Sequence, residues 1–176
     1  MRELNFTPFP EMTTKHFILR SLNISDENEI FKLRSDDAVR QYLDRPKATS
    51  IEDARHFIEK IKTGIAGNEL IYWVVRTIIN PQLIGTICLW NISREHSSAE
   101  IGFELLPEHF GKGIMQEVIP AIIEYGFEKL KLISIEAEVD PFNLKSIVIL
   151  EKNGFVFNRK NEKTVVYSLI NEKLAI

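Results

Sequence analysis

The sequence predicts an α+β fold in which strands and helices pack in an α/β sandwich-like arrangement. Runs of β-branched and aromatic residues, with apolar and polar positions alternating, predict strands. Other stretches place apolar residues every three or four positions, which predicts amphipathic helices. A chain of 176 residues, 44% of them apolar, buries one sizeable core but has no room for a second domain. We therefore expect residues 1–176 to form a single domain.

The charge balance and hydropathy argue against a polyanionic or membrane partner. Lys and Arg total 22 and Asp and Glu total 25, which leaves a net charge of -3. Such a chain has no broad electrostatic attraction to nucleic acid or to an anionic membrane. No stretch approaches the roughly 20 apolar residues of a membrane span, and the N-terminus has no long apolar core. We expect a cytoplasmic protein that binds neither membranes nor nucleic acids directly.

The few potential metal ligands do not form a recognisable site. Cys88 is the only cysteine, so no intramolecular disulfide forms, and its apolar neighbours predict a small buried residue. His16, His96 and His109 lack the spacing of metal ligands. We expect no bound metal.

A strand and two helices are predicted in the first part of the chain. The stretch "HFILRSL" alternates as a half-buried strand does, with Arg20 facing away from the core. Asp26 is a candidate N-cap for the first helix. Ser50 is a candidate N-cap for the second, whose apolar spacing stops before Gly64.

The rest of the chain predicts most of the sheet. The stretches "LIYWVVRTI" and "LIGTICLWNI" predict a hairpin, and "AEIGFELL" continues the antiparallel pattern. After Pro107 the spacing becomes helical, and we expect this helix, which contains Pro120, to be the longest. A strand over "LISIEAEVD", a helix over "NLKSIVILEKNG" and a final hairpin complete the pattern.

The stretch "HFGKGIMQEV" contains the strongest candidate binding motif. Gly111 and Gly113 flank Lys112 just before the helix, where unpaired backbone amides attract anions. Residues without side chains let a pyrophosphate approach the backbone closely. The alternative is a plain turn with a solvated lysine. The nucleotide P-loop does not match, because Gly113 follows Lys112, and the dinucleotide fingerprint lacks its third glycine.

Three stretches, in this order and spacing, resemble a known family. They are "TTKHFILR", "AEIGFELLPEHFGKGIMQEV" and "VDPFNLKSIVILEKNGF". Together they are similar to the Gcn5-related N-acetyltransferase (GNAT) superfamily, and in particular to its RimJ/RimL-like branch, which acetylates protein N-termini and other amines with acetyl-CoA. The resemblance implies a mixed, mostly antiparallel central sheet with helices on both faces. It also implies acetyl-CoA as a cosubstrate, and we expect a monomer or a homodimer.

The resemblance implies a place for each part of the cofactor. The family's phosphate loop falls on Phe110, Gly111, Lys112, Gly113, Ile114 and Met115. Gly113 fits the central glycine, whereas Phe110 and Met115 depart from the family pattern. The pantetheine is expected to pair with a splayed strand at Phe103, Glu104 and Leu105. Asn143 and Ser146 match positions that face the cofactor, although Asn143 is also a good N-cap for the helix that follows it.

The chemistry requires a neutral amine, a base and stabilisation of an oxyanion. Glu100 and Glu104 share one face of a predicted strand, and Glu100, which matches the branch's "AEIG" pattern, is the favoured base. A solvated strand glutamate is the alternative. Many members of the superfamily protonate the leaving thiolate with a tyrosine, but Leu150 stands at that position, so Ser146 or water must serve. A backbone amide near Leu105 is the expected oxyanion donor.

The acceptor pocket should draw on the two early helices and on the strands that carry the two tryptophans. Tyr42, Trp73 and Trp90 are its candidate residues. By analogy the acceptor is a protein N-terminal α-amine of ribosomal-protein type, and a small amine remains open. The alternative function is a non-catalytic acyl-CoA-binding module, because Leu150 replaces the acid and the base is uncertain.

Overall fold

The computed structural model describes residues 4–174, in which eight strands form one sheet. The strands are β1 (Met12–Thr13), β2 (Phe17–Ser21), β3 (Ile71–Thr77), β4 (Gly85–Ser93), β5 (Ser98–Leu105), β6 (Ser134–Val139), β7 (Val156–Lys160) and β8 (Val165–Ile170). The α-helices are α1 (Glu27–Ser35), α2 (Asp37–Arg40), α3 (Ile51–Ala66), α4 (Ile114–Glu124) and α5 (Leu144–Lys152). The predicted strands and helices are all present.

The sheet is mixed and mostly antiparallel, as expected. Its strand order is β1-β2-β3-β4-β5-β6-β8-β7, and within residues 4–174 only β5 and β6 pair in parallel. A parallel pair requires a crossover connection, which α4 provides between β5 and β6. The fold class is therefore α+β, and the parallel pair lies near the middle of an otherwise antiparallel sheet.

Alternation along the strands gives the sheet two buried faces. On β3, Ile71, Trp73 and Val75 belong to a core formed with α4 and α5. Tyr72 and Val74 belong to a second core formed with α1 and α3. Since neighbouring residues of a strand point to opposite faces, the helices cover both sides of the sheet, as predicted.

The N-caps explain where the early helices begin. Ser50 caps α3 in a capping box with Asp53, as predicted. Asp26 occupies the N-cap position of α1, but its side chain makes no capping hydrogen bond and pairs with Arg20 instead. Helix α3 continues past Gly64 to Ala66, and Leu70 packs so closely on Gly64 that an added Cβ atom would lie 3.0 Å from it.

The helix after the glycine loop differs from the expectation. The α-helix α4 has 11 residues and continues as a π-helical turn over Tyr125–Lys129, whereas α3 has 16 residues. Pro120 lies inside α4 on its exposed side. No helix within residues 4–174 is long and apolar enough to cross a membrane.

The carboxylate of Glu117 joins the first turn of α4 to the chain just before β2. Its Oε1 accepts hydrogen bonds from the Thr14 hydroxyl at 2.6 Å and from the His16 backbone N–H at 2.8 Å. Its Oε2 lies 2.7 Å from His16 Nδ1. Burial raises the pKa of Glu117, but these hydrogen bonds outweigh it and lower the pKa to about 2.

We expect Glu117→Gln to lower the free energy of unfolding at pH 7 by about 1–2 kcal/mol, because charged hydrogen bonds are lost. A carboxylate with a lowered folded-state pKa stabilises above its usual value of 4.5, and this contribution is lost as the pH falls toward 2. Urea denaturation between pH 7 and pH 2 should therefore show the two proteins converging in acid. Glu124→Gln, at an exposed position of the same helix, is the control. A constant difference across this pH range would contradict the assignment.

Candidate active site

The glycine loop has the backbone geometry of an open turn. Gly111 and Gly113 have φ angles of 72° and 73°, in the left-handed region that favours glycine. Gly113 is the N-cap of α4 and provides no side-chain hydrogen bond. A Cβ atom added at either glycine would meet nothing within 4 Å. The surface above this loop is therefore free to receive a ligand.

Backbone amides converge in this loop without acceptors. Within the described residues, no hydrogen bond is made by the N–H groups of residues 111–116, and the next amide, that of Glu117, donates to Gly113 O at 3.3 Å. The positive end of the α4 dipole adds to their field, and exposed Lys112 lies among them. Free donors beneath an open surface make this loop suited to binding an anion.

Strands β5 and β6 separate beside this loop. They pair only from Ser98 to Glu100 on β5 and from Ser134 to Glu136 on β6. Strand β5 nevertheless continues to Leu105 and β6 to Val139. The last part of each strand therefore leaves an open edge toward the other, which is the splayed geometry expected from the resemblance.

The backbone groups at this opening follow from the hydrogen bonds on the other edge of β5. Leu106 N–H donates to Ile84 O at 3.0 Å. In an antiparallel pair the hydrogen-bonded residues alternate, so Glu104 also directs its backbone groups to β4. The backbone groups of Phe103 and Leu105 therefore point away from β4, toward the opening. Of the three residues predicted to pair with the pantetheine, Phe103 and Leu105 therefore direct main-chain groups into the opening between β5 and β6.

The N-terminus of α5 lies at the same edge of the sheet as that of α4. The two helices follow the parallel strands β5 and β6, whose carboxyl ends share one edge. Asn143 caps α5, since its Oδ1 accepts from Ser146 N–H at 3.2 Å. The capping interpretation of Asn143 is thus confirmed. Contact of Asn143 and Ser146 with a cofactor stays a prediction.

Glu100 is a half-buried carboxyl group on β5, directly opposite Trp90 of β4. Burial, assisted by the nearby carboxylates of Glu138 and Glu136, raises its pKa to about 7. A hydrogen bond from the Asn91 side chain acts in the opposite direction. A carboxyl group with this pKa exchanges protons near neutral pH, which suits a general base.

Glu104 lies on the same face as Glu100 but has a different environment. Its carboxylate forms an ion pair with Arg45, and the side chain is largely buried. Burial raises the pKa of Glu104, and the positive charges of Arg45 and Arg34 oppose this shift. Because this carboxylate is already bound to Arg45, Glu100 is the better placed of the two candidate bases.

The structure separates the two tryptophans that were expected to line one pocket. Trp73 is fully buried, and its indole N–H donates to Pro10 O at 2.8 Å. Trp90 is 45% exposed and lies on the opposite face of the sheet. Trp73 therefore belongs to the core rather than to an acceptor pocket, which corrects the expectation. Tyr42 is half-buried in the segment between α2 and α3.

Leu150 and Cys88, two other side chains of interest, provide neither an acid nor a nucleophile. Leu150 is buried in α5, so no acid stands at that position. Burial raises the pKa of the Cys88 thiol to about 12, which leaves it protonated and unreactive at neutral pH. Within residues 4–174, no three His, Cys, Asp or Glu side chains are grouped closely enough to hold a metal ion.

Similarity to known proteins extends over most of the chain. Residues 16–156 match the family model described as "Acetyltransferase (GNAT) domain". YoaA of Bacillus subtilis (strain 168), named as an uncharacterized N-acetyltransferase, is 35% identical over 147 residues, which are 84% of this chain and 83% of that protein. The spermidine N(1)-acetyltransferase of Vibrio cholerae is 30% identical over 138 residues, which are 78% of each protein.

A solved structure extends the comparison to the fold. RimL, a ribosomal alpha-N-protein acetyltransferase in complex with coenzyme A, has a TM-score of 0.82 and covers 92% of this chain and 98% of its own. At 16% identity this likeness is one of fold alone. The family match over residues 16–156 includes the amide loop and the splayed strands. The relatives named above are N-acetyltransferases. The chain therefore belongs to the GNAT acetyltransferase family and is an acetyltransferase.

Proposed function

We propose that this protein transfers the acetyl group of acetyl-CoA to the α-amine of a protein N-terminus. The observation that carries the proposal is the carboxyl group of Glu100, whose pKa of about 7 lies close to that of an α-amine. Such an amine has a pKa of about 7.7–8.0, so its deprotonation near pH 7 costs roughly 1 kcal/mol. A lysine side chain, with a pKa of about 10.4, would require roughly 4–5 kcal/mol.

The cofactor is placed by backbone groups in this proposal. The free amides of residues 111–116 hold the pyrophosphate, and Lys112 adds positive charge beside it. The pantetheine runs along the open edge of β5 and pairs with backbone groups of Phe103 and Leu105. Asn143 and Ser146 face the cofactor from the start of α5. Met115, which departs from the family pattern, contributes its backbone amide, whereas the amide of Phe110 is already bonded to Pro107 O at 3.1 Å.

The residues then have distinct parts in the reaction. The neutral amine attacks the thioester carbonyl, and Glu100 accepts the proton that the amine loses, through a water molecule. The backbone N–H of Leu105 stabilises the oxyanion of the tetrahedral intermediate, which collapses as the carbon–sulfur bond breaks. The leaving thiolate has a pKa of about 8.5 when free, so Ser146 or water is a sufficient proton donor and Leu150 is tolerated.

A spermidine-like polyamine is the second candidate acceptor. Glu136 and Glu138 follow Glu100 across the same face of the sheet, and such carboxylates attract a cationic amine. Arg159 pairs with both oxygens of Glu136 at 2.9 Å, and Asn161 donates to Glu138 at 3.0 Å. These partners already occupy the carboxylates, so the polyamine ranks below the α-amine. The spermidine acetyltransferase relative supports keeping it.

Release of free coenzyme A tests the two acceptors directly. We expect turnover with peptides that carry a free N-terminus and none with the same peptides after N-terminal blocking. Spermidine serves as the competing substrate at equal concentration. Turnover with spermidine alone would replace the α-amine by the polyamine. Binding of acetyl-CoA without turnover on either acceptor would contradict the proposed function for both classes.

A further inference from the structure

The ion pair between Arg45 and Glu104 joins an irregular segment to the splayed strand. Arg45 lies between α2 and α3, and its Nη1 contacts the Glu104 carboxylate. The exposed fractions of the two side chains are 21% and 16%. Arg45 Nη2 donates to Leu33 O at 3.2 Å. One guanidinium thus links the end of α1 to β5.

The segment that carries Arg45 is fixed at several points. Arg40 Nη2 donates to Arg45 O at 3.0 Å, and Ala48 N–H donates to Arg34 O at 3.0 Å. These bonds tie residues 41–50 to the C-terminal part of α1 and to α2. The backbone that carries Arg45 is therefore fixed by hydrogen bonds to α1 and α2.

Glu104 lies in the part of β5 that is paired with a neighbouring strand on one edge only. From Ile101 onward, β5 no longer pairs with β6, so only β4 holds its backbone. At Gly85, β4 packs so closely that an added Cβ atom would lie 2.5 Å from Glu104 O. The Arg45 contact acts on Glu104 from the face of the sheet that α1 and α3 cover. It replaces part of the restraint that β6 provides to Ser98–Glu100.

We propose that the Arg45–Glu104 pair is a positioning device that holds the unpaired end of β5, so that the Phe103 and Leu105 amides stay aligned with the acyl group. This inference rests on the proposed function, because those amides are assigned to pantetheine and oxyanion there. The contacts of Nη1 with Glu104 and of Nη2 with Leu33 O together fix the orientation of the planar guanidinium, which an apolar contact of equal area does not.

The test replaces the pair by apolar residues of similar volume, in the double variant Arg45→Met with Glu104→Leu. Removing both charges avoids leaving one of them buried alone, so the protein should stay folded. We expect kcat to fall at least about 10-fold with a nearly unchanged acetyl-CoA Kd, because binding depends mainly on the loop amides. Hydrogen exchange at the Leu106 amide, which bonds to Ile84, should accelerate by about 10-fold or more, while Val74 of β3 is unaffected.

A matched control comes from another Arg–Glu pair on the same side of the sheet. Arg55 of α3 pairs with Glu27 of α1 and does not contact β5. The double variant Arg55→Met with Glu27→Leu should leave kcat and Leu106 exchange unchanged. Should the first double variant not fold, Arg45→Lys provides the same test, because one ammonium group cannot hold Glu104 and Leu33 O in the same fork.

The outcomes separate this inference from the proposed function. Parent-like kcat or parent-like Leu106 exchange in the Arg45–Glu104 variant would overturn the positioning role. If the parent protein acetylates neither peptides nor spermidine, the proposed function fails, and exchange at Leu106 alone decides whether the pair restrains β5. Equal effects in the control pair would reduce the result to general destabilisation and would likewise overturn the inference.

Discussion

Replacing Gly113 with Glu is expected to weaken acetyl-CoA binding by at least about 100-fold, equivalent to about 2.7 kcal/mol. A side chain at φ 73° also costs about 1–2 kcal/mol in the backbone, which favours other loop conformations over the one that presents the amides. The open space above Gly113 is where the pyrophosphate is proposed to lie, so the new carboxylate would also repel it. Titration calorimetry of acetyl-CoA into both proteins measures this loss.

The control for this variant is the same substitution at Gly67. That residue ends α3 with a φ of -78°, and an added Cβ atom would make only ordinary contacts there. Gly67→Glu adds the same charge far from the loop in sequence and should bind acetyl-CoA as the parent does. Binding retained by Gly113→Glu would show that the free amides do not hold the pyrophosphate.

The second large effect is expected from Glu100→Gln, which should lower kcat by about 100-fold or more, the usual contribution of a general base. The acetyl-CoA Kd should not change, because no part of the cofactor is assigned to this side chain. In the parent, kcat should rise with pH through about 7, as Glu100 loses its proton. The variant should lack this rise and keep only the one through about 8 that comes from deprotonation of the substrate α-amine.

Glu138→Gln is a suitable control, since its carboxylate helps to raise the pKa of Glu100. Removing that neighbouring charge should shift the rise in kcat to lower pH while leaving the plateau. Both effects would show in steady-state kinetics with a saturating peptide, measured over about 3.5 pH units from about pH 5.5 to about pH 9. A pH profile that is the same in parent and Glu100→Gln would remove Glu100 from the mechanism.

Most of the fold was predictable because local pattern and tertiary structure agree. The β-branched and aromatic run "LIYWVVRTI" identifies β3, and Ser50 marks the start of α3. The end of α3 was misplaced, because Gly64 lies inside the helix, where it leaves room for Leu70, and the C-cap is Gly67. The assignment of Trp73 and Trp90 to one pocket was wrong because the β3–β4 register was unknown. With Trp73 paired to Ile87, Trp90 must face the other side of the sheet.

The candidate site was predictable only in part. Spacing located Gly111 and Gly113, whose function depends on backbone geometry. Arg45 could not be found in this way, since it lies in an irregular segment and meets Glu104 only after folding. The raised pKa of Glu100 likewise arises from burial in the folded sheet and, to a smaller extent, from Glu138 on a strand distant in sequence. The cytoplasmic setting and the monomeric or homodimeric state stay predictions from the sequence.

The separation of β5 from β6 also has a consequence for the stability of the whole molecule. Beyond Glu100, two edge strands face each other in the middle of the sheet, where most proteins have none. In the proposed complex the pantetheine occupies this place as a substitute strand and joins the two half-sheets. Binding at 100 times Kd would then add about 2.7 kcal/mol to the free energy of unfolding. In that complex the cosubstrate acts as a structural component, so bound acetyl-CoA is expected to stabilise the sheet as well as to supply the acetyl group.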